Sequence, residues 1–493
     1  MNKTALVIGA GLGGLSTALR LSTKGYKVTI LEKHHQAGGR LNQLKKDGFT
    51  FDVGPSFFSM SYEFKELFDY CKVNNPLQFN ELNPLYSVYF SYKKKPYLIH
   101  KDLQKLSTEF SDEKDFVRKA NAYLKAAKEV FHDTEYRVIK KNFEGKMDYL
   151  YQLTKVPLKH GPKLFRSMWS ELEKHFETEE VKIIFSLVAF FLGATPFDTP
   201  AVYSLLNYTE LQHDGYWNVK GGMYTITEEI VKLLQQNNVE IIYNTEIKQF
   251  VQEGNKLQGF IDQHGKKWTA DIYVSNADAA SFRGQILGRK SFNPDKLDKM
   301  DWTLSPFTIY LGVKGKLDNI HHHNYFLGEN FKAYADKIFK TAVAPQKPYY
   351  YVNVSSKSNP ECAPEGCENI FILCPMPDLR YKKDWSDRES LADTIIADLS
   401  QRIDFDLAAN TLSRTIYDPI DWQKMFNLYQ GSGLGLAHGM NQIGALRPSN
   451  KDEQFSNLYY VGASTIPGTG LPIVVISSKL VTDRILNEHG GTI

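Results

Sequence analysis

The first apolar run of the chain, Thr4 to Ile8, is short, rich in β-formers, and stops at a glycine cluster, Gly9 to Gly14. Apolar positions then recur at helical spacing (Leu15, Ala18, Leu19) until Gly25, and Lys27 to Leu31 makes a second short run. Short apolar runs bounded by glycine read as strands, and a three-to-four spacing reads as a helix face. The opening therefore predicts strand, turn, helix, strand. From Met60 to about Tyr216 the pattern becomes helices and short strands rich in Tyr, Phe and Lys. Tyr224 to Gln236 predicts a helix and Val239 to Tyr243 a strand. Turns at Glu253-Gly254-Asn255 and Gln263-His264-Gly265-Lys266 predict hairpins ahead of a strand at Tyr273–Val274. Trp302 to Met425 reads as a second layer of strands and loops, and a further return of the chain begins near Gly431. Close to the end, Ser464 to Pro472 holds two glycines and two prolines ahead of the apolar residues Ile473 to Ile476. A loop so poor in side chains lets something flat or charged approach the backbone.

With 493 residues the chain is long enough for at least two domains, one of them discontinuous. Lys+Arg 59 against Asp+Glu 56 is too balanced to point to a nucleic-acid partner. Between Arg137 and Arg166, though, eight basic residues face only Glu144 and Asp148. The four cysteines, Cys71, Cys362, Cys367 and Cys374, form no C-x-x-C and suit a reducing compartment. The run His321-His322-His323 lacks paired ligands and reads as a solvated loop, so no metal is expected. Met1-Asn2-Lys3 leads directly into the first strand, so no leader is expected. The most hydrophobic segment, Ile183 to Leu192, contains one polar residue, Ser186, and falls short of the about 20 residues of a spanning helix. It is expected to line a lipid tunnel or pack in the core.

Gly9-Ala10-Gly11-Leu12-Gly13-Gly14 satisfies G-x-G-x-x-G between the first strand and helix, and Glu32 lies 18 residues beyond Gly14 at the end of the second strand. Such glycines let a pyrophosphate rest on the helix N-terminus, whose free N–H groups and dipole favour an anion, and the acid suits a ribose hydroxyl. Dinucleotide binding is the expectation.

The stretch after the second strand is more particular. Glu32-Lys33 precedes Gly38-Gly39-Arg40, and then comes Phe51-Asp52-Val53-Gly54-Pro55-Ser56. This order resembles the flavoproteins with two dinucleotide-binding domains, among them amine oxidases, protoporphyrinogen oxidases and carotenoid desaturases. The resemblance implies an α/β fold: a discontinuous Rossmann-like FAD-binding domain (residues 1–70, 217–285 and 430–493) with an inserted α+β substrate domain (71–216 and 286–429). Residues 137–206 would form its helical, membrane-contacting part. It implies FAD held by Gly9, Gly11, Leu12, Gly13, Gly14, Glu32, Lys33, Gly39, Arg40, Pro55 and Ser56. Ile247 would touch adenine through its backbone, and Asn276, Gly462, Ala463, Gly470, Leu471 and Pro472 would complete the site.

Four further segments narrow the resemblance to bacterial phytoene-desaturase-type carotenoid desaturases. They are Asn457 to Pro472 with Ser477 and Lys479, Phe191 to Tyr203, Cys362 to Gly366, and Leu446-Arg447-Pro448. Ser464, Ile466 and Ile473 stand where many members carry Gly, His and Gly. That departure shifts the expectation from phytoene to a later step, a 1-hydroxycarotenoid 3,4-desaturation. The implied partners are a membrane-dissolved C40 carotenoid and the membrane surface, with the protein cytoplasmic and peripheral to the inner membrane. Leu164, Phe165, Met168, Trp169, Leu172 and Phe176, behind Lys155, Lys159, Lys163 and Arg166, are spaced as one apolar helical face for that contact. Hydride loss to the flavin plus loss of a neighbouring proton would make the new double bond. A hydrocarbon requires no side-chain acid or base, and neither a catalytic residue nor an oligomeric state is assigned. The alternatives are phytoene desaturase, a carotenoid isomerase or amine oxidase of the same fold, and a lipid-binding escort without flavin.

Overall fold

The computed structural model describes residues 3–338 and 341–490. Met1 and Asn2, from which the leader reading starts, lie outside the described residues, as does the side chain of Phe191. A five-stranded parallel sheet is assembled from distant parts of the chain, in the order Leu458–Tyr460, Ile272–Ser275, Thr4–Ile8 (β1), Lys27–Leu31 (β2), Glu240–Ile242. Its strands are nearly all apolar because both faces are covered. In β1 the two-residue alternation divides the faces. Ala5 and Val7 pack with Leu15, Ala18 and Leu19 of α1 (Leu12–Thr23), with Ile226 and Ile230 of Thr225–Gln236, and with Val481 and Ile485 of Leu471–His489. Leu6 and Ile8 pack instead with Phe260, Tyr273 and Tyr460, beneath the antiparallel strands Ile247–Glu253, Lys256–Asp262 and Lys267–Trp268.

A seven-stranded mixed sheet has the order Thr411–Tyr417, Ser305–Lys314, Cys367–Met376, Tyr350–Asn353, His323–Leu327, Tyr86–Phe90, Tyr97–Ile99. One face carries Phe307, Ile309, Ile370 and Ile372 against Ala392, Ile395 and Leu399 of helix Arg388–Ile403. The opposite face presents Tyr310, Tyr325, Tyr351 and Phe371 to a layer of helices between Phe116 and His213.

Two expectations are corrected here. The stripe from Leu164 to Phe176 is not one helical face. Gly161–Phe165 and Met168–Leu172 are separate short helices, broken at Arg166, whose backbone is extended. Met168, Leu172 and Phe176 are buried in the core, and the Trp169 ring lies 4.9 Å from that of Phe197. Lys163 and Arg166 are drawn to the buried carboxylate of Glu171 at 3.1 and 2.9 Å. The histidine run is not a solvated loop either: His323 is wholly buried at the start of a strand, because its ring has a Tyr351 hydroxyl to bond and the Phe57 ring to stack on. Ile183 to Leu192 divides. Ile183 to Phe185 end a helix in the core, whereas Leu187, Phe190 and Leu192 face a cavity. Among the described residues no helix is long and apolar enough to cross a membrane.

Candidate functional site

The glycine turn after β1 is tied down by its own backbone. Gly9 N–H donates to Leu31 O at 2.8 Å, and Gly38 N–H donates to Ala10 O at 2.8 Å, which draws the Gly38-Gly39-Arg40 loop beside the turn. Gly11 caps α1 with no side chain bonded to the first amides and no acid in the first turn. Those N–H groups and the positive end of the helix dipole are left for an anion. A Cβ on Gly11 would stand 2.5 Å from the Asn276 amide nitrogen, and one on Gly13 would collide with the Asn276 amide oxygen. Asn276 thus lies across the helix N-terminus, placed by its strand end through the bond from its N–H to Ile8 O at 2.8 Å. Glu32 is held by two amides, Ala10 N–H at 2.7 Å and His34 N–H at 2.9 Å. One lone pair on each of its oxygens stays available.

A second helix N-terminus comes from the other end of the chain. Helix Leu471–His489 follows Gly470 (φ 108°) and again has no side-chain cap and no acid in its first turn. Gly470 in that left-handed region is a position where a side chain would be strained. The loop before it is fastened by Arg447, fully buried, which donates to the carbonyls of Leu436, Ala437, Gln442, Ala463 and Thr465 at 2.7–3.1 Å. Burial pushes the Arg447 guanidinium down to about 10, still a cation at neutral pH.

These elements enclose one cavity of about 1390 Å³, larger than the roughly 300–1,000 Å³ of an ordinary ligand pocket. Gly9, Gly11, Leu12, Gly13, Glu32, Lys33, Gly39, Arg40, Pro55, Ser56, Ile247, Asn276, Gly462, Ala463, Gly470, Leu471 and Pro472 all line it. Gly14 does not. It faces β1, and a Cβ there would strike the Gly9 carbonyl oxygen, so its smallness serves the contact between helix and strand. Lys33 reaches across to Asn427 at 3.1 Å, and Arg40 donates to Gly433 O at 2.8 Å. Asp278, unremarked in the sequence, also lines the cavity, and burial pushes its carboxyl up to about 6 while the Arg40 charge pulls it back. Arg447 and Asp278 carried no spacing signal. Only the folded chain brings one against its five carbonyls and the other beside Arg40.

The remainder of the cavity differs in chemistry. Among the described residues, its wall from Thr134 to Tyr216 and from Leu304 to Pro375, including Val138, Leu153, Leu164, Leu187, Phe190 and Leu206, contains no Asp, Glu, Lys or Arg. Its carboxylates, Glu32, Glu246 and Asp278, all belong to the glycine-lined end.

A family model described as flavin-containing amine oxidoreductase matches residues 12–486. The chain belongs to the flavin-containing amine oxidoreductase family. It is an FAD-dependent oxidoreductase with the amine-oxidase-like fold. It is 32% identical to a phytoene desaturase of Fusarium fujikuroi over 99% of this chain and 90% of the other. It is also 32% identical to a zeta-carotene-forming phytoene desaturase of Myxococcus xanthus over 98% and 93%. Among solved structures it resembles an oxidoreductase from Methanosarcina mazei, with 18% identity, a TM-score of 0.64, and coverage of 97% of this chain and 100% of that one. The residues present fit the flavin cofactor of this family: two uncapped helix N-termini face one cavity, and side chains at Gly11 and Gly13 are excluded by Asn276.

Proposed function

We propose that the chain is a carotenoid desaturase. The observation carrying this reading is the continuity of the cavity: a glycine-lined end suited to a dinucleotide opens into a long chamber whose wall, among the described residues, has no Asp, Glu, Lys or Arg. A hydrocarbon chain is stabilised there by burial alone, at roughly 25 cal/mol per Å². A cationic amine would lack an acid beside its charge, which argues against the amine-oxidase alternative. Bound FAD supplies the two-electron oxidant that takes up the hydride. The chain's residues bind and orient it: Gly9, Gly11, Leu12 and Gly13 with Asn276 at the pyrophosphate, Glu32, Lys33 and Ile247 towards the ribose and adenine. Gly39, Arg40, Pro55, Ser56, Gly462, Ala463, Gly470, Leu471 and Pro472 would surround the remainder. Residues 1–70, 217–285 and 430–493 would form the cofactor domain, and 71–216 and 286–429 the substrate domain.

The finer proposal is a 1-hydroxycarotenoid 3,4-desaturase, supported by Ser464, Ile466 and Ile473 at the cavity wall. Phytoene is the second reading, favoured by the names of the curated relatives. Expression in hosts that accumulate either phytoene or 1-hydroxycarotenoids, followed by pigment chromatography, separates them. The finer proposal expects new pigment, shifted to longer wavelength, in the second host only. New pigment in the phytoene host alone selects the second reading.

Substrate entry is proposed from a membrane, with the protein peripheral on the cytoplasmic side. Tyr136, Met147, Leu150, Tyr151, Leu158 and Phe165 are exposed, Leu158 and Phe165 by 89% and 85%. They cluster in the segment that supplies the cavity wall at Val138, Leu153 and Leu164. The Lys155 ammonium lies 4.3 Å over the Tyr151 ring, and basic residues outnumber acids here, as an anionic bilayer surface requires. Leu158→Glu/Phe165→Glu is expected to abolish cosedimentation with anionic liposomes and leave the melting temperature unchanged, because both side chains already face water. Unchanged cosedimentation would remove this segment from the proposal.

A further inference from the structure

Loss of a hydride from carbon leaves a proton to be taken up from the adjacent carbon, and among the described residues the chamber wall has no carboxylate for it. At one place, however, the wall is continuous with a buried hydrogen-bonded chain. Ser56, Phe57, Tyr216, Tyr325 and Tyr351 line the cavity together. The Tyr351 hydroxyl is 2.6 Å from His323 Nδ1, and the Asn353 amide nitrogen approaches the same Nδ1 at 3.4 Å. With the Asn353 amide donating to Nδ1, the Tyr351 hydroxyl donates there too, leading away from the cavity, and His323 Nε2 is buried with no hydrogen-bond partner among the described residues. His323 is wholly buried, and the Phe57 ring is stacked on it with centroids 4.0 Å apart.

We propose that Tyr351 and His323 are the proton-accepting relay of the desaturation. The inference rests on the carotenoid-desaturase reading. The hydride departs with both electrons of the first C–H bond. The second C–H bond then breaks, and its electron pair becomes the π bond. Its proton goes to Tyr351 Oη as the Tyr351 hydroxyl proton moves to His323 Nδ1, leaving an imidazolium against the Phe57 face. A proton beside an electron-deficient carbon is strongly acidic, so an imidazole whose protonation is disfavoured by burial is basic enough. The nearby acids are already engaged and do not line the cavity. Asp52 accepts from the amides of Met223 and Tyr224 at 3.0 and 3.1 Å, and Glu210 accepts from the Asn207 amide at 3.4 Å. Tyr351 meets the substrate space; His323 acts through Tyr351.

The test uses the FAD-loaded full chain with carotenoid in liposomes, alongside ¹⁵N NMR of histidine-labelled protein. Tyr351→Phe keeps the ring and removes the hydroxyl. It is expected to lower kcat at least about a hundredfold, the low end for a positioned proton acceptor, with KM and FAD content unchanged. The solvent deuterium isotope effect on kcat, present in the parent enzyme, is expected to vanish. Without substrate, the His323 resonances, assigned by their loss in His323→Gln, should show an unprotonated Nδ1 whose shift moves in Tyr351→Phe. Should Tyr351→Phe fold poorly, His323→Gln breaks the pair at its other end and is held to the same kinetic expectation. Full turnover in either folded variant, or a protonated Nδ1, overturns the relay. Failure of the parent enzyme to desaturate any carotenoid would instead overturn the reading beneath it, whatever the NMR shows.

Discussion

Gly11→Val protein is expected to purify without flavin. The added branch would stand where Asn276 lies across the first turn of α1, its Cβ 2.5 Å from the Asn276 amide nitrogen. The Asn276 side chain must give way, and it gives way towards the space the pyrophosphate needs. Two losses combine: the anion can no longer reach the helix amides, and Asn276 no longer borders them. Each charge-assisted hydrogen bond to such an anion contributes about 1.5–3 kcal/mol, so losing two or three lowers affinity by several orders of magnitude. The measurement is the flavin-to-protein absorbance ratio after reconstitution, with the FAD-induced rise in melting temperature as its companion. The variant should show neither while remaining folded, because Gly11 caps the helix without a side chain. Full occupancy would mean that the cofactor sits elsewhere in the cavity.

Arg447→Met is expected to be the more damaging change. Its guanidinium bonds five carbonyls of two loops, residues 436–442 and 463–465, and pairs with no acid. A thioether of similar length fills the space but donates nothing. An orphaned buried acceptor costs about 1–3 kcal/mol, so the sum reaches the order of the 5–15 kcal/mol by which folded domains are stable at all. Chemical denaturation should show a stability loss of at least about 4 kcal/mol or no cooperative transition, with flavin lost from the soluble fraction. Arg447→Lys should recover only part, since an ammonium offers three donors where the guanidinium offers five. A methionine variant as stable as the parent would show that the two loops hold their own positions.

The glycine turn was legible because its cause is local. An apolar run, side-chain-free residues and a helical spacing sit within thirty residues of one another, and the sheet forms where that pattern places β1 and β2. Ile272–Ser275 was legible as a strand but not as a neighbour, since it pairs with β1, and Leu458–Tyr460 pairs with it, across long stretches of chain. The same limit applied to side chains. Spacing suggested that Leu164 to Phe176 share one face, but it carried no sign of the buried Glu171 that pulls Lys163 and Arg166 inwards or of the break at Arg166. Three adjacent histidines read as solvated because the partner that buries His323, Tyr351, is on the neighbouring strand of the sheet. Asp278 and Arg447 went unassigned for the reason that hides most polar residues of a site: their meaning lies in what the fold sets opposite them. The glycines at 11, 13 and 14 look equivalent in sequence, yet only the first two border the cavity.

The central claim, that the glycine-lined cavity and its apolar chamber serve to desaturate a carotenoid, is tested most directly by mixing the FAD-loaded protein anaerobically with a C40 carotenoid in liposomes and recording the visible spectrum. The account predicts that the visible flavin band bleaches while the polyene bands move to longer wavelength, one conjugated double bond gained per flavin bleached. The contradicting result is a flavin that stays oxidised with every carotenoid offered but bleaches with an amine, or a polyene whose spectrum changes without a gain in conjugation.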